Sequence, residues 1–495
     1  MSIFATFSST ISTYSNRNAF FIDGTTYTYA DFAQSISQIR KAVQGIDEKY
    51  FGLVANDDME TYAAIIALWF EGKAFVPLGI KTPPDRNSKI ITQAGLKTII
   101  DSSENTFFPA YHTILSKQLP VTSINLEPKM VSEEELVYIL FTSGTTGEPK
   151  GVPITRGNLE GFIAAFDKLG YDINETDKCL QMSELTFDLS VVSYVVPLLR
   201  GACLYTVPAN SIKFSYAYEL MEEQELTVLV MVPSVLQYLR KYFSEINLPS
   251  VRFSFFCGEA LHLDISDEWC RCLPNVTIVN VYGPTEATVF CTHYVHNRLG
   301  HNKANNGILS IGRAMEGTTT IIVDENKNFV PAGSVGELCL GSIQLTPGYW
   351  HNEERNKESF FTKYYNGQQM RFYRTGDLCR CDEDGDMDYL GRIDFQVKIQ
   401  GFRVELSEIE FHAKTFIPKT NVAAIPFTDT IGNTDIGLAI ESAEFNSTAL
   451  IDYMKTKMPA YMIPKQLVFV PVFPLNNNGK TDRNNLKTYF KENLI

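Results

Sequence analysis

Short apolar runs alternate with segments of helical periodicity through most of the chain. "YAAIIALWF", Tyr62–Phe70, repeats its apolar residues at helical spacing, whereas "LTVLVMVP", "VRFSFFCG" and "VTIVNVYG" are continuous apolar stretches of strand length that end at Pro233, Gly258 and Gly283. Strands apolar on both faces, with amphipathic segments between them, predict a layered α/β fold. Beyond "GELCLG", Gly336–Gly341, the pattern changes to strands and turns, and "CDEDGDMDYLGRID" gathers acids and glycine into a hairpin. The C-terminal stretches "NVAAIPF", "ALIDYMKTKMP" and "LVFVPVF" predict a small α+β domain. Before them, in "VELSEIEFHAK", Ser407 and Glu410 have capping-box spacing and predict the start of a short helix. The expected organisation is a large domain, 1–393, and a small one, 394–495, with a hinge at Asp394 in "GRIDF".

A chain of 495 residues with 44% hydrophobic content exceeds what one core usually serves, which agrees with two domains. Its net charge of -14 argues against nucleic acid or an anionic membrane as partner, because phosphates would go unneutralised. No run approaches the roughly eighteen apolar residues of a membrane span, and the N-terminus lacks a basic segment followed by an apolar one. Nine cysteines, scattered without zinc-ribbon pairs, predict a reduced, cytoplasmic protein. Cys291, His293 and His296 in "CTHYVH" lack a fourth metal ligand, and their alternation suits a strand.

The stretch "FTSGTTGEPKG", Phe141–Gly151, has the chemistry of a phosphate cradle: glycines that let backbone N–H groups form a nest, hydroxyl donors, and a lysine. The same residues also make an ordinary solvated turn, so the string leaves both readings open. It is not a Walker A loop, since Lys150 follows Pro149 and precedes Gly151, and "VPIT" then reads as extended.

"YILFTSGTTGEPKGV" resembles the signature of the adenylate-forming enzymes, the group of amino-acid adenylation domains, acyl-CoA synthetases and firefly luciferase. "NVYGPTEAT", "GELCLG…PGYW", "YRTGDL", "YLGRIDFQVKIQGFRVELSEIE", "MPAYMIP" and "NNNGKTDR" resemble the later motifs of that group, in order. The resemblance implies its fold, layered α/β subdomains with a mobile C-terminal α+β lid, and its reaction: a carboxylate attacks ATP to give an acyl-adenylate, and a thiol then takes the acyl group. It implies that Thr142, Ser143, Gly144, Thr145, Thr146 and Lys150 hold the β- and γ-phosphates. Asn280, Val281, Tyr282, Gly283, Pro284 and Thr285 would line the nucleotide, with Tyr282 on adenine and Thr285 at the α-phosphate. Glu286 would hold Mg²⁺, Asp377 and Arg392 the ribose, and Tyr389 would complete the ATP site. Lys480 would be catalytic, bridging the substrate carboxylate and the α-phosphate. The hinge at Asp394 would then carry it away while Gly401 lines the path of the thiol.

Asp188 is the only charge in "LTFDLSVVSYVVPLL", and a buried lone carboxylate is costly unless a cation meets it. It could also cap a helix starting at Leu189. The resemblance implies the cation, since an Asp after Phe here pairs with the α-ammonium in amino-acid adenylation domains, whereas acyl-CoA synthetases often carry His where Phe187 stands. Carried over position by position, the side-chain pocket is Leu189, Val192, Met231, Phe255, Cys257, Val281, Val289 and Phe290, with Lys480 reaching the carboxylate. That set has no charge and three bulky members, which implies a small apolar amino acid. "FDLSV", "FCGE", "YGPTEATV", "GRIDFQVK" and "PAYMIP" resemble the D-alanine:carrier-protein ligases, and Cys257 matches their cysteine facing the α-carbon substituent. Val192, Met231, Val281 and Phe290 depart from that pattern, which leaves chirality open. With no carrier segment after Arg483, the expected acceptor is a phosphopantetheinylated carrier protein in trans. The alternatives are an acyl-CoA synthetase for a small carboxylate, in which Asp188 would lack its cation, and a non-catalytic binder, against which Lys150, Glu286, Asp377, Arg392 and Lys480 stand intact.

Overall fold

In the computed structural model, which describes residues 2–144, 147–208, 210–442, 447–475 and 481–492, the apolar runs become the central strands of two large sheets. Thr277–Tyr282, Phe253–Phe256, Val228–Met231, Lys178–Gln181, Cys203–Thr206 and Asn18–Ile22 lie in that order as parallel neighbours in a nine-stranded sheet. Antiparallel strands flank them at both edges. The second sheet orders His112–Leu115, Thr98–Asp101, Tyr50–Val54, Ala74–Leu78, Leu136–Thr142 and Lys150–Thr155, with parallel pairing through the first five.

Successive side chains of a strand point to opposite faces, so a strand covered on both sides must be apolar throughout. Val228 and Val230 pack into one cluster with the helices Tyr29–Val43, Met59–Phe70, Arg156–Lys168 and Leu189–Arg200. Leu229 and Met231 pack into another with Lys213–Glu223, Ser234–Leu239 and Leu263–Cys272. The helix within "METYAAIIALWF" buries every residue except Glu60. Asp58 caps it by accepting from the Thr61 N–H at 3.0 Å, and near its end the Trp69 indole donates to the Val137 carbonyl at 2.8 Å, so that no polar atom of that ring is stranded. A five-stranded antiparallel sheet follows, in which Gln368–Cys381 and Met387–Arg392 form the hairpin expected from "CDEDGDMDYLGRID".

The chain divides into two compact units, one of residues 1–80, 93–140 and 151–393, the other of 81–92, 141–150 and 394–495. The second therefore takes in two short excursions besides the C-terminal segment. Its sheet of Val422–Thr428, Thr434–Ile440 and Gln466–Phe469 packs with Leu406–Phe416 and Ser447–Lys457 around Ile409, Leu438 and Met454. The capping box at Ser407 does not form. Strand pairing continues through Glu405, so the helix begins at Leu406, Ser407 falls inside its first turn, and no side chain caps it. Glu410 instead accepts from the Ala424 N–H at 2.9 Å and from Arg483 at 2.6 Å.

Among the described residues no helix is long and apolar enough to cross a membrane. "CTHYVH" contains the strand Thr292–Val295, and His296 Nε2 bonds Asp267 Oδ1 at 2.7 Å. All nine cysteines are unpaired, and all but Cys381 are buried. Burial pushes the thiols of Cys203 and Cys272 up to about 12 and about 11, and raises that of Cys379 well above its ordinary value. Since the thiolate is the reacting species, native protein should yield at most one thiol, Cys381, to a disulfide exchange reagent at neutral pH within minutes. The denatured chain should yield all nine; rapid labelling of three or more in the native state would contradict this packing.

Candidate active site

The strand Thr277–Tyr282 ends in Gly283 and Pro284, followed by a 3₁₀ turn over Thr285–Ala287. The carboxyl ends of parallel strands are where α/β folds gather binding groups, because the strand bodies are covered. Gly283 is required there: a Cβ would lie 2.4 Å from the Phe290 Cα. The Tyr282 hydroxyl donates to Asp377 Oδ2 at 2.5 Å, and Arg392 Nη1 donates to Oδ1 at 2.7 Å. Asp377 and Arg392 face each other in the hairpin register, and the Asp377 N–H donates to Thr375 Oγ1 at 3.0 Å. Burial, and next the Asp377 charge, raise the Tyr282 hydroxyl well above its usual range and keep it a donor. Each carboxylate oxygen has a second lone-pair site, so Asp377 retains acceptor capacity for a diol.

Tyr389 is half-buried on the same hairpin as Arg392. Asn280 is buried in a strand paired on both sides, and its side chain donates to the Ser310 and Leu309 carbonyls at 2.9 and 3.4 Å, so its amide is taken up by the protein. Glu286 is fully buried, with Oε1 accepting from the Tyr349 hydroxyl at 2.6 Å. Its carboxylate is a hard oxygen donor of the type that could hold a magnesium ion. Asp382, Asp384 and Asp386 also converge, but Lys303 Nζ sits 2.6–2.7 Å from all three and supplies their counter-charge.

In the second unit, the glycine loop displays its donors on acidic oxygens. Lys150 Nζ lies 2.8 Å from Glu405 Oε1, and the Gly144 N–H donates to Glu408 Oε2 at 3.0 Å. Ser143 Oγ donates to the Arg403 carbonyl at 2.7 Å and accepts from the Glu405 N–H at 3.1 Å. At Gly144 a Cβ would fall 1.9 Å from the Glu148 carbonyl oxygen, so the tight fold of the loop excludes any side chain. Thr142 closes the preceding strand. Thr145, Thr146 and Lys480 lie outside the described residues. Asp394 is exposed, and its Oδ1 accepts from the Gln396 N–H at 3.1 Å.

Asp188 is 5% exposed and precedes the helix Leu189–Arg200, but its side chain makes no cap hydrogen bond, so helix capping does not explain it. Leu189, Val192, Phe255, Cys257, Val281, Val289 and Phe290 all belong to one buried cluster. Met231 is not brought to them. It packs in the cluster on the other face of the sheet, and its neighbour Val230 takes the inward place, because strand alternation separates adjacent positions.

A family model described as AMP-binding enzyme matches residues 7–350. The chain belongs to the AMP-binding enzyme family. Zwittermicin A synthase ZmaJ of Bacillus cereus is 30% identical over 476 residues, covering 92% of this chain and 89% of that protein. Tyrocidine synthase 1 of Brevibacillus parabrevis is 29% identical over 481 residues, 94% of this chain and 43% of that synthase. The chain spans only 6% to 43% of the length of the gramicidin, tyrocidine and plipastatin synthases it matches. The solved Vibrio cholerae adenylation domain AlmE, in complex with glycyl-adenosine-5'-phosphate, superposes with a TM-score of 0.87 at 26% identity and covers 99% of this chain and 97% of its own.

This AMP-binding enzyme has further groups around the pocket that its motifs do not mark. Thr288 and Val289 have φ of 54° and 73°, both outliers for β-branched residues that cost about 1–3 kcal/mol each. The turn is held by Gln344, fully buried, whose Nε2 donates to the Ala287 and Phe290 carbonyls at 3.2 and 3.0 Å, and by Thr288 Oγ1, which donates to the Gln344 carbonyl at 2.6 Å. Nothing in "GSIQLTPGYW" singles out that glutamine, since its partners lie more than fifty residues away. The hydroxyls of Tyr138, Ser190 and Tyr194 are buried with no hydrogen-bond partner among the described residues. Burial, and next the Asp188 charge, raise the Tyr138 hydroxyl well above its usual range.

These groups separate two kinds of buried polar atom. Gln344→Ala should lower stability by about 2 kcal/mol, because two carbonyls lose their donor. Tyr138→Phe removes a hydroxyl with no partner among the described residues and should leave the denaturation midpoint unchanged or raise it. Equal destabilisation by both would mean that Tyr138 is bonded in the folded state.

Proposed function

We propose that the protein activates a small apolar amino acid of about alanine size, with D-alanine among the candidates, to aminoacyl-AMP. It then passes the aminoacyl group to the phosphopantetheine thiol of a carrier protein in trans. The observation that carries this reading is Asp188: a buried carboxylate, not used as a cap, at the head of a helix whose first turn joins an otherwise uncharged cluster. A carboxylate in such surroundings favours a cation, and an α-ammonium supplies one, while the bulk of Phe255 and Phe290 supports a short side chain. The AlmE likeness supports the substrate class, since the ligand named in that complex is a glycyl adenylate.

In this reading the substrate carboxylate attacks the α-phosphorus, an acyl–oxygen–phosphorus linkage forms, and pyrophosphate leaves. Asp377 accepts the ribose hydroxyls and Arg392 fixes that carboxylate by ion pairing. Tyr282 presents its ring to adenine, and Thr285 reaches the α-phosphate. The loop donors Ser143, Gly144 and Lys150 hold the β- and γ-phosphates as they hold carboxylate and carbonyl oxygens here. Magnesium, held by Glu286, would neutralise triphosphate charge. Lys480 stabilises the charge moving between carboxylate and α-phosphate. In the second step the thiol attacks the acyl carbon, and AMP leaves with the bonding electrons.

Amino-acid-dependent ATP–pyrophosphate exchange over D- and L-amino acids and short fatty acids tests this. Small apolar amino acids should drive exchange, and Asp188→Ala should cut kcat/KM at least about 100-fold, since it removes the carboxylate that meets a desolvated ammonium. Exchange driven by fatty acids alone would sink the reading in favour of an acyl-CoA synthetase. Lys480→Ala is expected to abolish adenylation and to leave transfer from preformed aminoacyl-AMP to a phosphopantetheinyl thiol largely intact. Equal loss in the two half-reactions would remove Lys480 from its proposed place.

A further inference from the structure

Behind Val192 an apolar cavity of about 10 Å³ continues along the Leu189–Arg200 helix past Val196, between that helix and the strand residues Val230 and Phe255. Val192 and Val196 are one helical turn apart, so both line the cavity from the same face of the helix. At this size it reaches only the threshold for a single water, and its apolar lining offers that water no partners. Phe255 and Phe290, both members of the side-chain set carried over from the motifs, also line it.

Neither ring is held by its own strand or turn alone. Phe166, 3% exposed on the helix Arg156–Lys168, places its ring 5.9 Å from that of Phe255 and 6.3 Å from that of Phe290. Phe162 meets Phe290 edge-on at 5.0 Å, and Tyr171 meets Phe255 edge-on at 5.0 Å. Close-packed rings in tilted and edge-on contact cannot rotate without displacing a neighbour, and the cavity has no volume to receive one. Among these three aromatics Phe166 alone touches both Phe255 and Phe290, and it lines the cavity beside them.

We propose that Phe166 is a positioning residue that sets the depth of the side-chain pocket: by bracing Phe255 and Phe290 together it closes the passage from Val192 toward Val196 and restricts the enzyme to short side chains. This inference rests on the amino-acid-activation reading. The test compares wild type with Phe166→Ala and Phe166→Leu in ATP–pyrophosphate exchange, using alanine, norvaline and leucine.

Wild type should favour alanine. In the variants the norvaline-to-alanine ratio of kcat/KM should rise at least about tenfold, mainly through a lower KM for norvaline, with the KM for ATP within about twofold of wild type. A merely structural role would lower kcat for all three amino acids alike at an unchanged ratio, and that outcome overturns the proposal. Should Phe166→Ala fail to fold, Phe166→Leu, which keeps most of the buried volume, decides alone. Wild-type exchange with neither enantiomer of any of the three overturns the activation reading and this inference with it; wild-type exchange with alanine and an unmoved ratio overturns this inference only.

Discussion

A strand buried on both faces has no side chain to spare for chemistry. The central strands of the nine-stranded sheet are enclosed by two apolar clusters, and a polar side chain placed along them would have to be bonded or paired at the cost of core packing. Reactive groups are therefore pushed to the turns at the strand ends. Tyr282, Glu286 and Cys257 stand at or just past the carboxyl ends of parallel strands, and Asp188 heads the helix reached after Lys178–Gln181. The same covering explains why the strained turn at Thr288 and Val289 persists, since Gln344 is buried against it and its hydrogen bonds have no water to compete with.

Charge in both units is organised in matched sets. Asp377 accepts from Tyr282 and Arg392, while Gly144 and Lys150 donate to the carboxylates of Glu408 and Glu405 and Ser143 to the Arg403 carbonyl. Removing a partner from such a set leaves an uncompensated buried ion, which is far more costly than the pair is stabilising. A ligand must then bring oxygens or a cation that these groups already hold in position.

Much of this was legible without coordinates. Buried strands, the helix at Met59–Phe70 and the hairpin before Asp394 follow from periodicity and turn chemistry, which act over a few residues. The reading failed where a local rule met a non-local one. Ser407 and Glu410 have capping-box spacing, but strand pairing through Glu405 sets where the helix begins. Position along the motif puts Met231 in the pocket, yet a shift of one residue on a strand exchanges faces, and only the sheet decides which face looks inward. Gln344 and Phe166 carry no local signal, because their partners are distant in the chain.

The sequence by itself therefore determined the element types, the family and the identity of the groups with chemical potential, because hydrophobic period, glycine-rich turns and ordered motifs are local patterns. The tertiary structure alone decided the pairing of Asp377 with Tyr282 and Arg392, the face that each strand residue presents, and the bracing of Phe255 and Phe290 by Phe166. Those depend on which distant segments pack together, and packing at native density distinguishes neighbours by single atoms, whereas a sequence pattern distinguishes only residue types.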